Sequence, residues 1–170
     1  MASARPGGSH SVRLHLVRHA HAGDAMEWEG DDALRPLTRK GRAQSERLGS
    51  FLAERRVHPD VIVSSPKVRA MQTAEIVAAA LGMTVRRDDR LADDFGNLEL
   101  WAVLDELGAR EPMLVGHDPD LTALLSYLID AAGVSLRKGA LATVDLETKL
   151  SDGDAMLRWL VPPDLLAPDS

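Results

Sequence analysis

The fold is decided by two short segments, Leu14-His15-Leu16-Val17-Arg18-His19-Ala20-His21 and Met113-Leu114-Val115-Gly116-His117-Asp118-Pro119. Each is an apolar run that ends in a histidine. A third apolar run opens the segment Val61–Arg69 and places an arginine one helical turn beyond the predicted end of a strand. Ligands of open α/β sheets bind outside the carboxyl ends of the strands, so groups that follow different strands can meet there. The residues expected to converge are Arg18, His19, Arg69 and His117.

Length and composition indicate one soluble globular domain. The chain has 170 residues, of which 45% are hydrophobic and 27% are charged, and this length is sufficient to bury a sizeable core. We expect a flexible lead-in over residues 1–11, a single domain over residues 12–162 and a C-terminal tail over residues 163–170.

Charge and cysteine content argue against several classes of partner. The net charge is −6 and the arginines are scattered, which opposes sequence-independent binding to nucleic acid or to an anionic membrane. The absence of cysteine excludes disulfides and thiolate metal sites and fits a reducing compartment. No apolar run has the length of a signal peptide core or of a membrane span. We therefore expect a cytoplasmic protein.

Apolar periodicity predicts alternating strands and helices. The predicted strands are Val12–Arg18, Val61–Val63, Met83–Arg86, Met113–Val115, Ala140–Leu146 and Ala155–Val161. The predicted helices run from the N-cap Thr38 to Arg55, from the N-cap Ser65 with Pro66 at the first helical position to Gly82, from Leu100 to Leu107, and from Asp118-Pro119 to Ile129. The resulting fold class is α/β, a three-layer sandwich with a mainly parallel central sheet, helices on both faces and an antiparallel C-terminal edge hairpin turning near residues 151–154.

Three motifs in this order resemble the histidine phosphatase superfamily, also called phosphoglycerate mutase-like. They are Arg18-His19-Ala20, Ser65-Pro66-Lys67-Val68-Arg69-Ala70-Met71-Gln72-Thr73-Ala74 and Gly116-His117. The small size, Arg35-Pro36-Leu37-Thr38-Arg39-Lys40-Gly41 and Gly116-His117-Asp118-Pro119 are similar to the short branch of SixA-type phosphohistidine phosphatases. The similarity covers residues from about 12 to 160.

The resemblance implies a metal-independent phosphatase without cofactors. His19 would be the nucleophile, whose neutral ring nitrogen attacks phosphorus and forms a covalent phosphoenzyme. Arg18 and Arg69 would hold the phosphoryl oxygens with planar guanidinium groups, and His117 would donate to the same oxygens. Positive donors are needed because the phosphoryl charge repels an incoming nucleophile.

Two other interpretations of the polar residues remain open. His15, His19 and His21 share strand parity and could form a metal site, although no carboxylate or thiolate is placed to complete the ligand set, so we expect His15 to be structural. Larger relatives carry a carboxylate that protonates the leaving group. Here Asp93, Asp94 and Asp118 are candidates, and the spacing selects none of them.

The expected substrate follows from this missing acid. Imidazole, with a pKa of about 6.5, leaves a phosphoramidate with little help, whereas an alkoxide needs a proton. We therefore expect the partner to be a protein phosphorylated on histidine. A small phosphorylated metabolite is the alternative substrate, and a phosphate-binding or metal-binding module without turnover is the non-enzymatic alternative.

Overall fold

The computed structural model describes residues 11–147 and 154–168. Residues 1–10 of the predicted lead-in (residues 1–11) and most of the predicted turn at residues 151–154 lie outside them, whereas Ser11 belongs to the first strand. Within the described ranges, six strands form one sheet in the order β3-β2-β4-β1-β5-β6. The strands are β1 Ser11–Arg18, β2 Val61–Ser64, β3 Val85–Arg87, β4 Pro112–Gly116, β5 Leu141–Glu147 and β6 Met156–Val161.

Strand direction confirms the predicted fold class. β1, β2, β3 and β4 are parallel neighbours, whereas β5 pairs antiparallel with β1 and β6 pairs antiparallel with β5. Parallel sheets are covered on both faces, and their strands therefore consist almost entirely of buried apolar residues. β4 illustrates this rule, since all of its residues are buried.

The helices begin and end close to the predicted positions. They are α1 Arg39–Glu54, α2 Val68–Leu81, α3 Asn97–Leu107 and α4 Asp120–Leu128. Thr38 caps α1 as predicted, because its side chain accepts a hydrogen bond from the Gly41 N–H. Gly82 and Gly108 end α2 and α3 with φ of 67° and 57°, a conformation that favours glycine.

Three predicted helix starts are wrong, and one of them is that of α3, which begins at Asn97, three residues before the predicted Leu100. α2 begins at Val68 with Lys67 as N-cap, so Ser65 is not the cap and Pro66 is not the first helical residue. The hydroxyl of Ser65 accepts from the Lys67 N–H and contacts His117 instead of capping a helix. α4 begins at Asp120, two residues after the predicted start.

The helices cover both faces of the sheet. α3 and α4 pack with Leu14, Leu16 and Leu114 on one face, and α1 and α2 pack with Val17 and Val115 on the other. Alternate residues of β1 and β4 point to opposite faces, which explains how one strand serves two apolar cores. The predicted three-layer arrangement is confirmed.

Short 3-10 helices complete the described structure over Asp32–Leu34, Asp89–Leu91 and Pro163–Leu166. The last lies in the segment predicted as a tail, and its Leu166 packs against the α1 and α2 side of the core. Within residues 11–147 and 154–168, no helix is long and apolar enough to cross a membrane.

The position of β4 brings three loops to one edge of the sheet. Arg18 of β1 is in register with Gly116 of β4, and Ser64 of β2 is in register with Val115. The backbone N–H of His19 donates to the Gly116 carbonyl at 3.0 Å, and the N–H of Ser65 donates to the Val115 carbonyl at 3.0 Å. The segments after β1, β2 and β4 therefore leave the sheet at the same edge.

The close packing of α1 against the segment after β1 gives a test of the fold. A Cβ at Gly41 would overlap the backbone of His21, with the His21 carbonyl carbon at 2.9 Å. Alanine gains about 1 kcal/mol over glycine in a helix, but overpacking typically costs about 1–3 kcal/mol and backbone cannot move aside like a side chain. We expect Gly41→Ala to lower the free energy of unfolding in urea denaturation, with the neighbouring exposed Lys40→Ala as control. A more stable Gly41→Ala variant would contradict this packing.

Candidate active site

His19 follows β1 and is buried, with 5% of its surface exposed. Its Nδ1 lies 2.8 Å from the carbonyl oxygen of Ala20. A carbonyl oxygen can only accept, so Nδ1 carries the proton and donates. The neutral ring therefore has its lone pair on Nε2, which is the nitrogen available for attack.

His117 follows β4 and lies beside His19. The two ring centroids are 5.2 Å apart and the planes are tilted by 50°. Nε2 of His117 lies 2.7 Å from the Oγ of Ser65, which follows β2. Residues after three parallel strands thus meet at one edge of the sheet, as the sequence predicts.

Arg18, the last residue of β1, is held by two acceptors. One terminal nitrogen donates to the Leu136 carbonyl at 2.9 Å and lies 3.1 Å from Oδ2 of Asp118. These contacts fix the guanidinium from the side of α4 and from the segment before β5. The Nε of Arg18 is buried and makes no hydrogen bond.

Arg69, in the first turn of α2, is held by the loop before α1. Its terminal nitrogens donate to the backbone carbonyl of Asp32 at 2.7 Å and to the Asp32 carboxylate at 2.9 Å. The same carboxylate accepts from Nε of Arg35 at 2.9 Å. Asp32 therefore orients two guanidinium groups, and the Nε of Arg69 is buried without a partner.

Burial keeps both histidines neutral. The pKa of His19 is lowered to about 3. Burial is the largest cause, and the charges of Arg69 and Arg18 also contribute. Burial also lowers the pKa of His117 to about 3, with Arg69 and Lys67 as additional causes. A neutral imidazole beside fixed positive charges combines a nucleophile with binding groups for an anion.

Arg18, Arg69 and His117 each have one polar atom without a partner. Within the described part of the chain, Nε of Arg18, Nε of Arg69 and Nδ1 of His117 are buried and make no hydrogen bond. Leaving a buried polar group unpaired costs about 1–3 kcal/mol, and more when the group is charged. The three atoms belong to three side chains whose charges act on His19, and an anion with several acceptor oxygens, such as a phosphoryl group, could give them partners.

One cation at this edge escaped the sequence analysis. Lys138 lies in the turn before β5, where the next residue, Gly139, donates its N–H to the carbonyls of Arg18 and His19 at 3.1 and 3.0 Å. Burial and the charges of Arg18 and Arg35 lower the pKa of Lys138. Because β5 runs antiparallel, its amino end lies at the edge where the parallel strands end. The predicted antiparallel direction of β5 is therefore a signal that could have placed Lys138 near the site.

The alternative metal site does not form. Both ring nitrogens of His15 are engaged, Nδ1 with Thr143 Oγ1 at 2.8 Å and Nε2 with Glu111 Oε1 at 3.0 Å, while Nδ1 of His21 contacts Thr38. No group of three or more histidine, aspartate or glutamate residues in the described ranges could hold a metal ion. His15 is structural, as predicted.

The three candidate acids differ in their surroundings. Asp118 contacts Arg18 and accepts from the Thr122 hydroxyl at 2.9 Å, and Asp93 forms an ion pair with Lys67. Asp94 lines a separate cavity of about 420 Å³. Asp93 and Asp118 each face a cation.

Comparison with known proteins identifies the family. The sequence profile of the histidine phosphatase superfamily (branch 1) matches residues 14–122. The chain belongs to this superfamily. The match spans Arg18, His19, Arg69 and His117, the residues that the fold brings together.

Three relatives show how far the similarity extends. An uncharacterized protein of Picosynechococcus is 36% identical, over 89% of this chain and 100% of that protein. An 8-oxo-(d)GTP phosphatase of Mycolicibacterium smegmatis is 28% identical over 88% of this chain, which spans 48% of that protein. The crystal structure of a putative phosphohistidine phosphatase SixA from Agrobacterium tumefaciens superimposes with a TM-score of 0.74, at 28% identity, covering 93% of this chain and 99% of that one.

The lowered pKa values predict how the site responds to acid. Because the folded state disfavours protonation of His19 and His117, their rings stay neutral as the pH falls from 8 to 5, whereas unfolded histidine is half protonated near pH 6.5. Their contribution to stability is complete above about pH 6.5 and is lost as the pH falls toward 3. We expect ring ¹⁵N spectra of the folded protein to show that both rings stay neutral between pH 8 and 5, with the urea-unfolded chain as reference. Titration of either ring near pH 6.5 would contradict the burial argument.

Proposed function

We propose that this protein is a phosphatase that removes the phosphoryl group from phosphohistidine of a protein through a covalent intermediate on His19. The bare Nε2 of His19 carries this proposal, because the Ala20 carbonyl holds the ring proton on the opposite nitrogen. The surrounding guanidinium groups of Arg18 and Arg69 supply the positive field that a phosphoryl group requires. Membership of the histidine phosphatase superfamily supports a phosphatase.

In the first step, Nε2 of His19 attacks phosphorus. A bond forms between Nε2 and phosphorus, and the bond from phosphorus to the substrate imidazole breaks. The electron pair leaves with that imidazole, which departs neutral when its other ring nitrogen carries a proton. Arg18, Arg69 and His117 hold the phosphoryl oxygens during the transfer.

In the second step, water attacks the phosphorylated His19. A bond forms between the water oxygen and phosphorus, the bond between phosphorus and Nε2 breaks, and its electron pair returns to Nε2. Inorganic phosphate leaves with the oxygen and the protons of the water. Dividing the displacement into two steps leaves His19 ready for another cycle. This chemistry uses side chains of the protein alone, so we propose that it needs no metal ion.

The surroundings of the aspartates favour phosphohistidine over an alkyl ester. An alkoxide leaving group needs a proton donor, whereas imidazole is a good leaving group near neutral pH. Asp93 and Asp118 face cations, and Asp94 lines a different cavity. A substrate that requires no dedicated acid suits this arrangement. Similarity to a putative SixA from Agrobacterium tumefaciens also supports this class.

A small phosphorylated metabolite is the second candidate substrate. The M. smegmatis relative named as an 8-oxo-(d)GTP phosphatase favours it. Lys138 adds a positive charge near Arg18 and Arg35, which would suit a ligand with more than one anionic group. Substrate preference separates the two candidates.

Arg69→Lys tests the role of the guanidinium. Lysine keeps the charge but cannot contact Asp32 with two nitrogens while presenting a third to the phosphoryl group. Losing one preorganised donor typically lowers the rate about 10²- to 10³-fold. We expect a loss of this size in kcat/KM. Arg137→Lys, at an exposed ion pair with Asp164, is the matched control. Unchanged kinetics of Arg69→Lys would place that residue outside the site.

A release assay tests the substrate class. We expect phosphohistidine peptide and aryl phosphates to be hydrolysed much faster than alkyl phosphates, because the rate depends on leaving-group pKa when no acid assists. Activity should survive treatment with chelators. The variant His19→Ala should have no turnover and should not form the acid-labile phosphoenzyme that the wild-type protein forms after rapid mixing. Label trapped on another residue would reject His19 as nucleophile, and zinc-dependent activity would reject the metal-free mechanism.

Variants of the acidic loop serve as controls for the same assay. Asp93→Asn and Asp94→Asn should leave hydrolysis of the phosphoramidate nearly unchanged. If one of them instead removed about 10²-fold of the rate on an alkyl ester, that aspartate would be a general acid. The metabolite substrate would then replace phosphohistidine.

A further inference from the structure

The hydroxyl of Ser65 lies between a backbone donor and a ring of the candidate site. Ser65 is fully buried immediately after β2. Its Oγ accepts from the backbone N–H of Lys67 at 3.2 Å and lies 2.7 Å from Nε2 of His117. Within residues 11–147 and 154–168, these are the two hydrogen-bond partners of that oxygen.

Counting donors and acceptors assigns the direction of the shorter bond. A hydroxyl has one proton to donate and lone pairs that accept. If Nε2 of His117 donated, the oxygen would accept twice and the hydroxyl proton would be buried without an acceptor. If the hydroxyl donates to Nε2, the Lys67 N–H, the hydroxyl and Nε2 are all satisfied. Buried polar groups are nearly always paired, which selects the second arrangement.

We infer that Ser65 is a positioning residue that holds His117 as the neutral tautomer protonated on Nδ1, so that this nitrogen donates to a bound phosphoryl oxygen. Nδ1 of His117 is the ring nitrogen that is buried without a partner. With the opposite tautomer, its lone pair would repel the oxygens of an anion. The inference extends the proposed function by naming the residue that orients one of its four groups.

The same logic gives the two histidines opposite tasks. His19 donates from Nδ1 to the Ala20 carbonyl and keeps a bare Nε2, whereas His117 accepts at Nε2 and keeps a proton on Nδ1. Both rings have the same neutral tautomer, but each exposes a different nitrogen to the site. One ring therefore supplies a lone pair and the other supplies a proton.

The tautomer of His117 can be measured without turnover. In ¹⁵N-histidine-labelled protein, we expect Nδ1 of His117 to show the shift of a protonated ring nitrogen and Nε2 that of an unprotonated one. In Ser65→Ala this assignment should be lost, and the affinity for inorganic phosphate should fall by about 10-fold, the effect of one hydrogen bond to a charged group. Ser65→Thr keeps the hydroxyl and should restore the tautomer.

The controls separate this inference from general destabilisation and from the proposed function. Ser45→Ala removes another buried hydroxyl, which bonds to Gly41 within α1, and should change neither the tautomer nor phosphate affinity. A wild-type protein with the His117 proton on Nε2, or a Ser65→Ala protein with unchanged phosphate affinity, would overturn the inference. If the protein shows the expected tautomer and phosphate affinity but does not hydrolyse phosphohistidine, the proposed substrate is wrong and the inference on Ser65 still holds.

Discussion

The pairing of β4 with both β1 and β2 is the constraint on which the site depends. Because β4 lies between them in parallel register, the backbone N–H groups of His19 and Ser65 donate to consecutive carbonyls, those of Gly116 and Val115. A slip of one residue in either pairing would turn the following side chains to the opposite face. The buried apolar residues on both faces of β1 and β4 specify the register, so the hydrophobic core also sets the positions of the polar groups.

Much of this arrangement could be predicted from apolar runs and their ends. Arg18, His19 and His117 come directly at or after strands, and Arg69 lies one turn into a helix, so their placement followed from the fold class. The failed helix start at Ser65 has a physical reason. Serine before proline has the composition of a helix cap, but the competing partner, His117, lies 52 residues away along the chain and cannot be seen in a local pattern. Lys138 and Asp32 escaped for the same reason, because long-range contacts give them their roles.

The site is assembled at the expense of local stability. Arg18, Arg35, Arg69 and Lys138 lie close enough to influence one another, and burial removes part of their hydration. Asp32 and Asp118 offset some of this repulsion at the terminal nitrogens of Arg69 and Arg18, and the Nε of each guanidinium stays without a partner. Functional sites commonly depart in this way from what stability alone would favour. In the proposed reaction, the remaining positive field would hold the phosphoryl group.

The carboxylate of Asp32 has a consequence for engineering. It joins the loop before α1 to Arg69 of α2, so the position of the guanidinium depends on that loop. Loops are the natural place to graft new selectivity, because they tolerate exchange. In this protein, a loop transplanted from a relative would also have to bring an acceptor that reproduces both bonds of Asp32. Without such an acceptor, Arg69 would lose the contacts that hold its guanidinium in place.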